Sequence, residues 1–194
     1  MTEQACYPFQ AREENREQVS AFISFAAVFV AFAVLSVILC LTVPPLASIA
    51  AVPAVTPLSD TGLGKLPYEA FTLSVPQLTV LSVILVGTFS IVSDWVILGT
   101  VAYTGFSAGA VIFKALSDTG ASGSPFAVIA CCILYSAAII FCAVVCNNSH
   151  NRIFREFKCR NRSKAFSESL KLILLNLVIA GGICLISALR LITP

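Results

Sequence analysis

Residues 77–116 read QLTVLSVILVGTFSIVSDWVILGTVAYTGFSAGAVIFKAL, and the way this block divides decides the fold. It is 40 residues long, with Asp94 and Lys114 as its charged residues. As one helix rising ~1.5 Å per residue it would reach roughly 60 Å, about twice the ~30 Å hydrocarbon thickness of a bilayer. It must therefore be two spans. The break falls at Ser93-Asp94, because a carboxylate at mid-bilayer costs on the order of a few kcal/mol and far less at a headgroup-level turn. The second span then begins near Phe71, with Pro76 in its first turns, and the third runs from Trp95 to Leu116.

Working outward, the same length criterion finds three more runs. The first runs from Ala21 to Val43 without a charge and stops at Pro44-Pro45. The fourth runs from Pro125 to Cys146 after a turn from Gly120, and the fifth from Leu170 to Ile192. The expected fold is an all-α integral membrane bundle of five transmembrane helices at about 21–43, 71–92, 95–116, 125–146 and 170–192. A leader (1–20), an outer loop (44–70) and a basic loop (147–169) complete the chain. Composition agrees: 58% of the residues are hydrophobic and 11% charged, against roughly 45–50% and 25% in a soluble domain. A chain of this size cannot bury that much apolar side chain, so the excess faces lipid.

Positive charge sets the orientation, because cytoplasmic flanks are enriched in Lys and Arg. Arg12 and Arg16 precede the first span. Arg152, Arg155, Lys158, Arg160, Arg162, Lys164 and Lys171 fill the stretch between the fourth and fifth. Four crossings put these two groups on one side, leaving Lys65, Lys114 and Arg190 for the other. The expectation is a cytoplasmic N-terminus and an external C-terminus, in the cell membrane. The first span reads as an uncleaved anchor, since four glutamates oppose the leader's two arginines and the apolar core exceeds the ~7–15 residues of a cleaved signal. Pro53, Pro57, Pro67 and Pro76 interrupt the apolar stretch from Ser48 to Gln77, which cannot be one spanning helix and is expected at the outer membrane boundary.

Chemical groups are few. His150, the single histidine, has no motif around it, and neither HExxH nor a phosphate-cradling glycine loop occurs. The expectation is a protein that is not an enzyme and has no cofactor, no metal and no nucleic-acid partner. Of eight cysteines, Cys40, Cys131, Cys132, Cys142, Cys146 and Cys184 lie in spans, and Cys6 and Cys159 on the basic side. None falls in the outer loop, which argues against a disulfide framework. Cys142 and Cys146 share a helix face at i, i+4 but read as small apolar filler.

Among polar residues in or beside the spans, Asp94, Lys114, Asp118 and Arg190 fall at helix ends, where snorkelling accounts for them. Asn176 lies well inside. One amide usually serves an interhelical hydrogen bond, although an intramembrane polar group also motivates a transport reading. Gly99, Gly105 and Gly109 make a small-residue surface on the third span, with Gly105 and Gly109 forming GxxxG, which lets another helix backbone approach closely. Gly181-Gly182 on the fifth span reads the same way, and Gly87 adds another small surface. The seven cations between spans four and five serve topology anchoring and attraction to anionic lipid, with a cytoplasmic docking surface as the other use.

Taken in order, these features resemble stage II sporulation protein M: a short leader, one span, an outer loop, then four closely spaced spans. More specifically, Gly99 through Gly105-Phe106-Ser107-Ala108-Gly109 is similar to the family's glycine-containing KGFxxG stretch. Leu185-Ile186-Ser187-Ala188, followed by Ile192-Thr193-Pro194, looks like its terminal helix closing on a proline. The chain departs from the family in the fourth span, which reads Cys131-Cys132-Ile133-Leu134-Tyr135-Ser136, and at Arg190, where the family has an acid. The resemblance implies a membrane scaffold holding cell-wall hydrolases or other membrane proteins, with self-association as a further expectation. The rival expectation is a small transporter or permease subunit.

Overall fold

The computed structural model describes residues 7–43, 66–117, 125–158 and 162–192. The leader residues 1–6, the loop residues 44–65 and Arg160 lie outside the described residues. Five helices make up the rest: α1 (Tyr7–Thr42), α2 (Leu66–Thr88), α3 (Ser93–Ser117), α4 (Pro125–Lys158) and α5 (Arg162–Ile192). No strand occurs among the described residues, and all five helices are long and apolar enough to cross a membrane. The chain is an all-α helical bundle.

The division of residues 77–116 falls within a few residues of Ser93-Asp94. Helix α2 ends at Thr88, Phe89–Val92 form the turn, and α3 opens at Ser93. Asp94 thus sits in the first turn of α3, where the helix dipole favours a negative charge. The turn closes through Phe89 N–H to Val86 O at 3.1 Å and Ser90 N–H to Gly87 O at 2.9 Å. Its tightness brings the two helices together beside Gly87, where a β-carbon would lie 2.6 Å from Cγ1 of Val96. Pro125 opens α4 at a position whose N–H has no intrahelical partner. Pro76 lies inside α2 and removes the rung that would bind the Thr72 carbonyl.

The stretch 147–169, expected as a loop, is helical to Lys158 and again from Arg162. Helix α4 is therefore 34 residues long and α5 is 31, roughly 51 and 46 Å at ~1.5 Å per residue. Both exceed the ~30 Å hydrocarbon layer. A span-length criterion places the end of the lipid-crossing segment and is silent on helix that continues into water. What holds the continuation is an apolar seam: Ile153, Ala165 and Leu172 are buried, while Arg155, Lys158, Arg162, Lys164 and Lys171 are exposed. Helix α1, 36 residues long, also runs past a bilayer's thickness.

In lipid, apolar burial brings no gain from water release, so helices hold together by close contact and interhelical hydrogen bonds. The centre is built from Ile84, Ile97, Val101, Ile139 and Ile183, all fully buried, with Cys142 and Cys146 beside them. Helices α2 and α4 pack on each other and on both α3 and α5, whereas α1 lies along α3 and, among the described residues, otherwise meets only α4. Phe29 of α1 faces Gly105 and Ala33 faces Gly109, so α1 and α3 run parallel. One end of the bundle gathers the start of α1, the α2–α3 turn, the end of α4 and the start of α5. This is the basic end.

Candidate functional site

A cavity of about 250 Å³ lies between α2, α3 and α4, away from the basic end. Pro76, Thr79 and Val80 contribute from α2, Thr104, Ser107 and Ala108 from α3, and Cys132, Ser136 and Ile139 from α4. Among the described residues, none lining it carries a charge. Three hydroxyls in its wall turn their protons back onto their own helices: Thr79 donates to Val75 O at 2.8 Å, Thr104 to Thr100 O at 2.8 Å, and Ser136 to Cys132 O at 2.7 Å. Such back-bonding satisfies a hydroxyl donor in a membrane helix and leaves the oxygen's lone pairs outward.

Beside the cavity, Tyr135 in its wall stands with its hydroxyl 2.7 Å from the Ser187 hydroxyl of α5. Ser74 of α2 back-bonds to Ala70 O at 2.5 Å, and its oxygen, 3.2 Å from the Ser187 hydroxyl, can accept from it. These buried groups join three helices through one small polar centre, a strong tie where lipid offers no competing partner. The two serines sit at otherwise unremarkable positions in apolar runs, 113 residues apart, so no local pattern announces them.

Nearer the basic end, Asn176 of α5 is buried against α4. Its amide nitrogen donates to Leu172 O at 2.9 Å and lies 3.8 Å from the Cys146 sulfur, and its oxygen accepts from the Cys142 thiol at 3.0 Å. The sulfurs of Cys142 and Cys146 are 3.8 Å apart. The i, i+4 cysteine pair is thus more than filler, since it forms the α4 half of an interhelical polar contact with Asn176. Asn176 is not among the residues lining the cavity. His150, one turn beyond Cys146, reaches the Thr88 carbonyl with Nδ1 at 2.7 Å.

The glycines divide into two groups. A β-carbon at Gly109 would lie 2.9 Å from Cβ of Ser36 and 3.0 Å from the carbonyl carbon of Ala33, and closer still to the Ala33 oxygen. At Gly105 it would lie 3.1 Å from the Phe29 carbonyl carbon and closer to its oxygen. GxxxG therefore works inside the chain, seating α1. At Gly99, Gly181 and Gly182 a β-carbon meets nothing within 4 Å. All three are exposed, and among the described residues nothing packs against them.

The residues Gly105-Phe106-Ser107-Ala108-Gly109 also spell G-x-S-x-G, the spacing of the serine-hydrolase elbow. That motif exposes its serine on a strained strand-to-helix turn, whereas Ser107 sits mid-way along a continuous helix. The basic residues Arg155, Lys158, Arg162, Lys164 and Lys171 project from the helical extension, with Arg152 half-buried. Phe154, Phe157 and Phe166 are exposed among them. Lys171 pairs with Glu168 at 2.7 Å on the surface, a contact of small energetic weight. Among the described residues no group of three His, Cys, Asp or Glu side chains is placed to hold a metal ion. Set against protein-family models, curated proteins and solved structures, the chain matches none.

Proposed function

We propose that this chain is a non-enzymatic scaffold of the cell membrane, of the kind stage II sporulation protein M represents, with its basic end in the cytoplasm. In this reading it recruits or stabilises other envelope proteins, cell-wall hydrolases among them, against its outward helix faces. The observation that supports it is the contrast among the glycines. Gly105 and Gly109 are filled by α1, whereas Gly181-Gly182 form a flat strip facing away from the bundle, flanked by exposed Val178 and Leu185. Lipid-facing apolar side chains are ordinary in a membrane helix; a strip without side chains is where another helix backbone can come close.

The test is a photo-crosslinking amino acid placed at Val178 or Leu185 in living cells, followed by purification in mild detergent. Adducts with another membrane protein or with a second copy are expected there and not at buried Ile183. Recovery of the chain only as an uncrosslinked monomer overturns the scaffold reading. The alternative, a small transporter or permease subunit, draws on the three-helix cavity rather than on Asn176, whose amide is held between α4 and α5. Solute flux in vesicles that falls with Thr104→Val and is indifferent to Asn176→Leu would favour it.

A further inference from the structure

We infer that the cavity between α2, α3 and α4 is a binding site for an uncharged long-chain amphiphile whose polar end donates a hydrogen bond. This goes beyond the scaffold reading and does not rest on it.

Three features of the wall fix the ligand class. First, none of the lining side chains among the described residues is acidic or basic. A charged headgroup would lie against a wall with no counter-charge, which is costly at membrane depth. Second, Val80, Val111, Val128 and Ile139 give the cavity an apolar lining suited to a hydrocarbon chain. At about 250 Å³ the space is larger than the ~150 Å³ apolar cavities known to admit a benzene-sized guest. Third, the hydroxyls of Thr79, Thr104 and Ser136 have given their protons to Val75 O, Thr100 O and Cys132 O. They present acceptors from three different helices. A hydroxyl or amide end can donate to these oxygens, and its own oxygen can accept from the Ser107 and Tyr103 hydroxyls in the same wall.

The lining residues come from the middle of α2, the middle of α3 and the first half of α4, away from the basic end. The cavity is not enclosed by the described residues, so a chain can enter it.

The full-length chain is placed in phosphatidylcholine nanodiscs with one of three diazirine-tagged probes of equal chain length: a primary alcohol, an alkane, and a trimethylammonium. The alcohol is expected to label peptides covering 103–111 and 131–139 at several times the level of the other two. Thr104→Val keeps the side-chain shape and removes one acceptor, and lowers alcohol labelling about two- to tenfold, the worth of one hydrogen bond, while leaving the alkane unchanged. Ser136→Ala does the same from α4, so a folding defect in one variant does not decide the matter. Ala108→Phe fills the space and abolishes labelling there. Equal labelling by all three probes, or alcohol labelling indifferent to both Thr104→Val and Ser136→Ala, overturns the assignment.

Discussion

The Nδ1 atom of His150 lies 2.7 Å from the carbonyl oxygen of Thr88, the last residue of α2. A carbonyl only accepts, so Nδ1 carries the proton in this contact. The last carbonyls of a helix have no partner within it, and a side-chain donor from a neighbouring helix both satisfies one of them and complements the dipole. The same ring lies 4.4 Å, centroid to centroid, from Phe154. The contact sets the level of α4 against α2 at the basic end.

His150→Phe keeps a ring beside Phe154 and removes the donor, so it is expected to destabilise the bundle by about 1 kcal/mol. His150→Ala loses both contacts and costs more. Unfolding monitored by circular dichroism during SDS titration ranks the two; equal stability of His150→Phe and the parent chain would contradict a capping role.

Glycine-to-alanine changes should separate by position. Gly109→Ala and Gly105→Ala drive a methyl into the α1 backbone and are expected to cost roughly 1–3 kcal/mol, the usual penalty of overpacking. Gly99→Ala and Gly181→Ala meet nothing within 4 Å and should be neutral or stabilising by up to ~1 kcal/mol, because alanine favours the helix. The same SDS titration reads the sign of each.

Asn176→Leu removes the acceptor for the Cys142 thiol and the donor to Leu172 O. Interhelical hydrogen bonds in membranes contribute about 0.6 kcal/mol on average and up to ~1.7, so a loss of about 1 kcal/mol is expected. A double-mutant cycle with Cys142→Ala checks the coupling. Additive losses would mean that the two side chains do not interact.

Reporter tags give the orientation. A tag at the N-terminus and one inserted after Lys158 should report the same compartment, and a C-terminal tag the opposite one, as the charge distribution requires. The proposed orientation fails if the N-terminal tag is found outside the cytoplasm.

Much of the architecture is readable from length alone, since 40 apolar residues cannot form one crossing and Asp94 marks where they divide. GxxxG correctly announces a close helix approach, but nothing local names the partner, because Gly109 meets Ala33 from 76 residues away. The helical continuation past Cys146 is hidden by Asn147, Asn148, Ser149, His150 and Asn151, which read as the end of a span. Its apolar seam is Ile153 on one helix and Ala165 and Leu172 on the next, all buried. The cavity is hidden for a related reason: Thr79, Thr104 and Ser136 are each unexceptional in a membrane helix, and their meeting is a property of three helices together.

Helix α4 runs unbroken from Pro125 to Lys158, carrying exposed cations and Phe157 at one extremity and the cavity residues Cys132, Ser136 and Ile139 toward the other. It has the form of a lever. About 30 Å of continuous helix separates Ser136 from Lys158, with no proline or glycine between them to absorb a push. Within that length the sequence builds in no hinge, so a tilt imposed at the basic end would be carried toward the cavity.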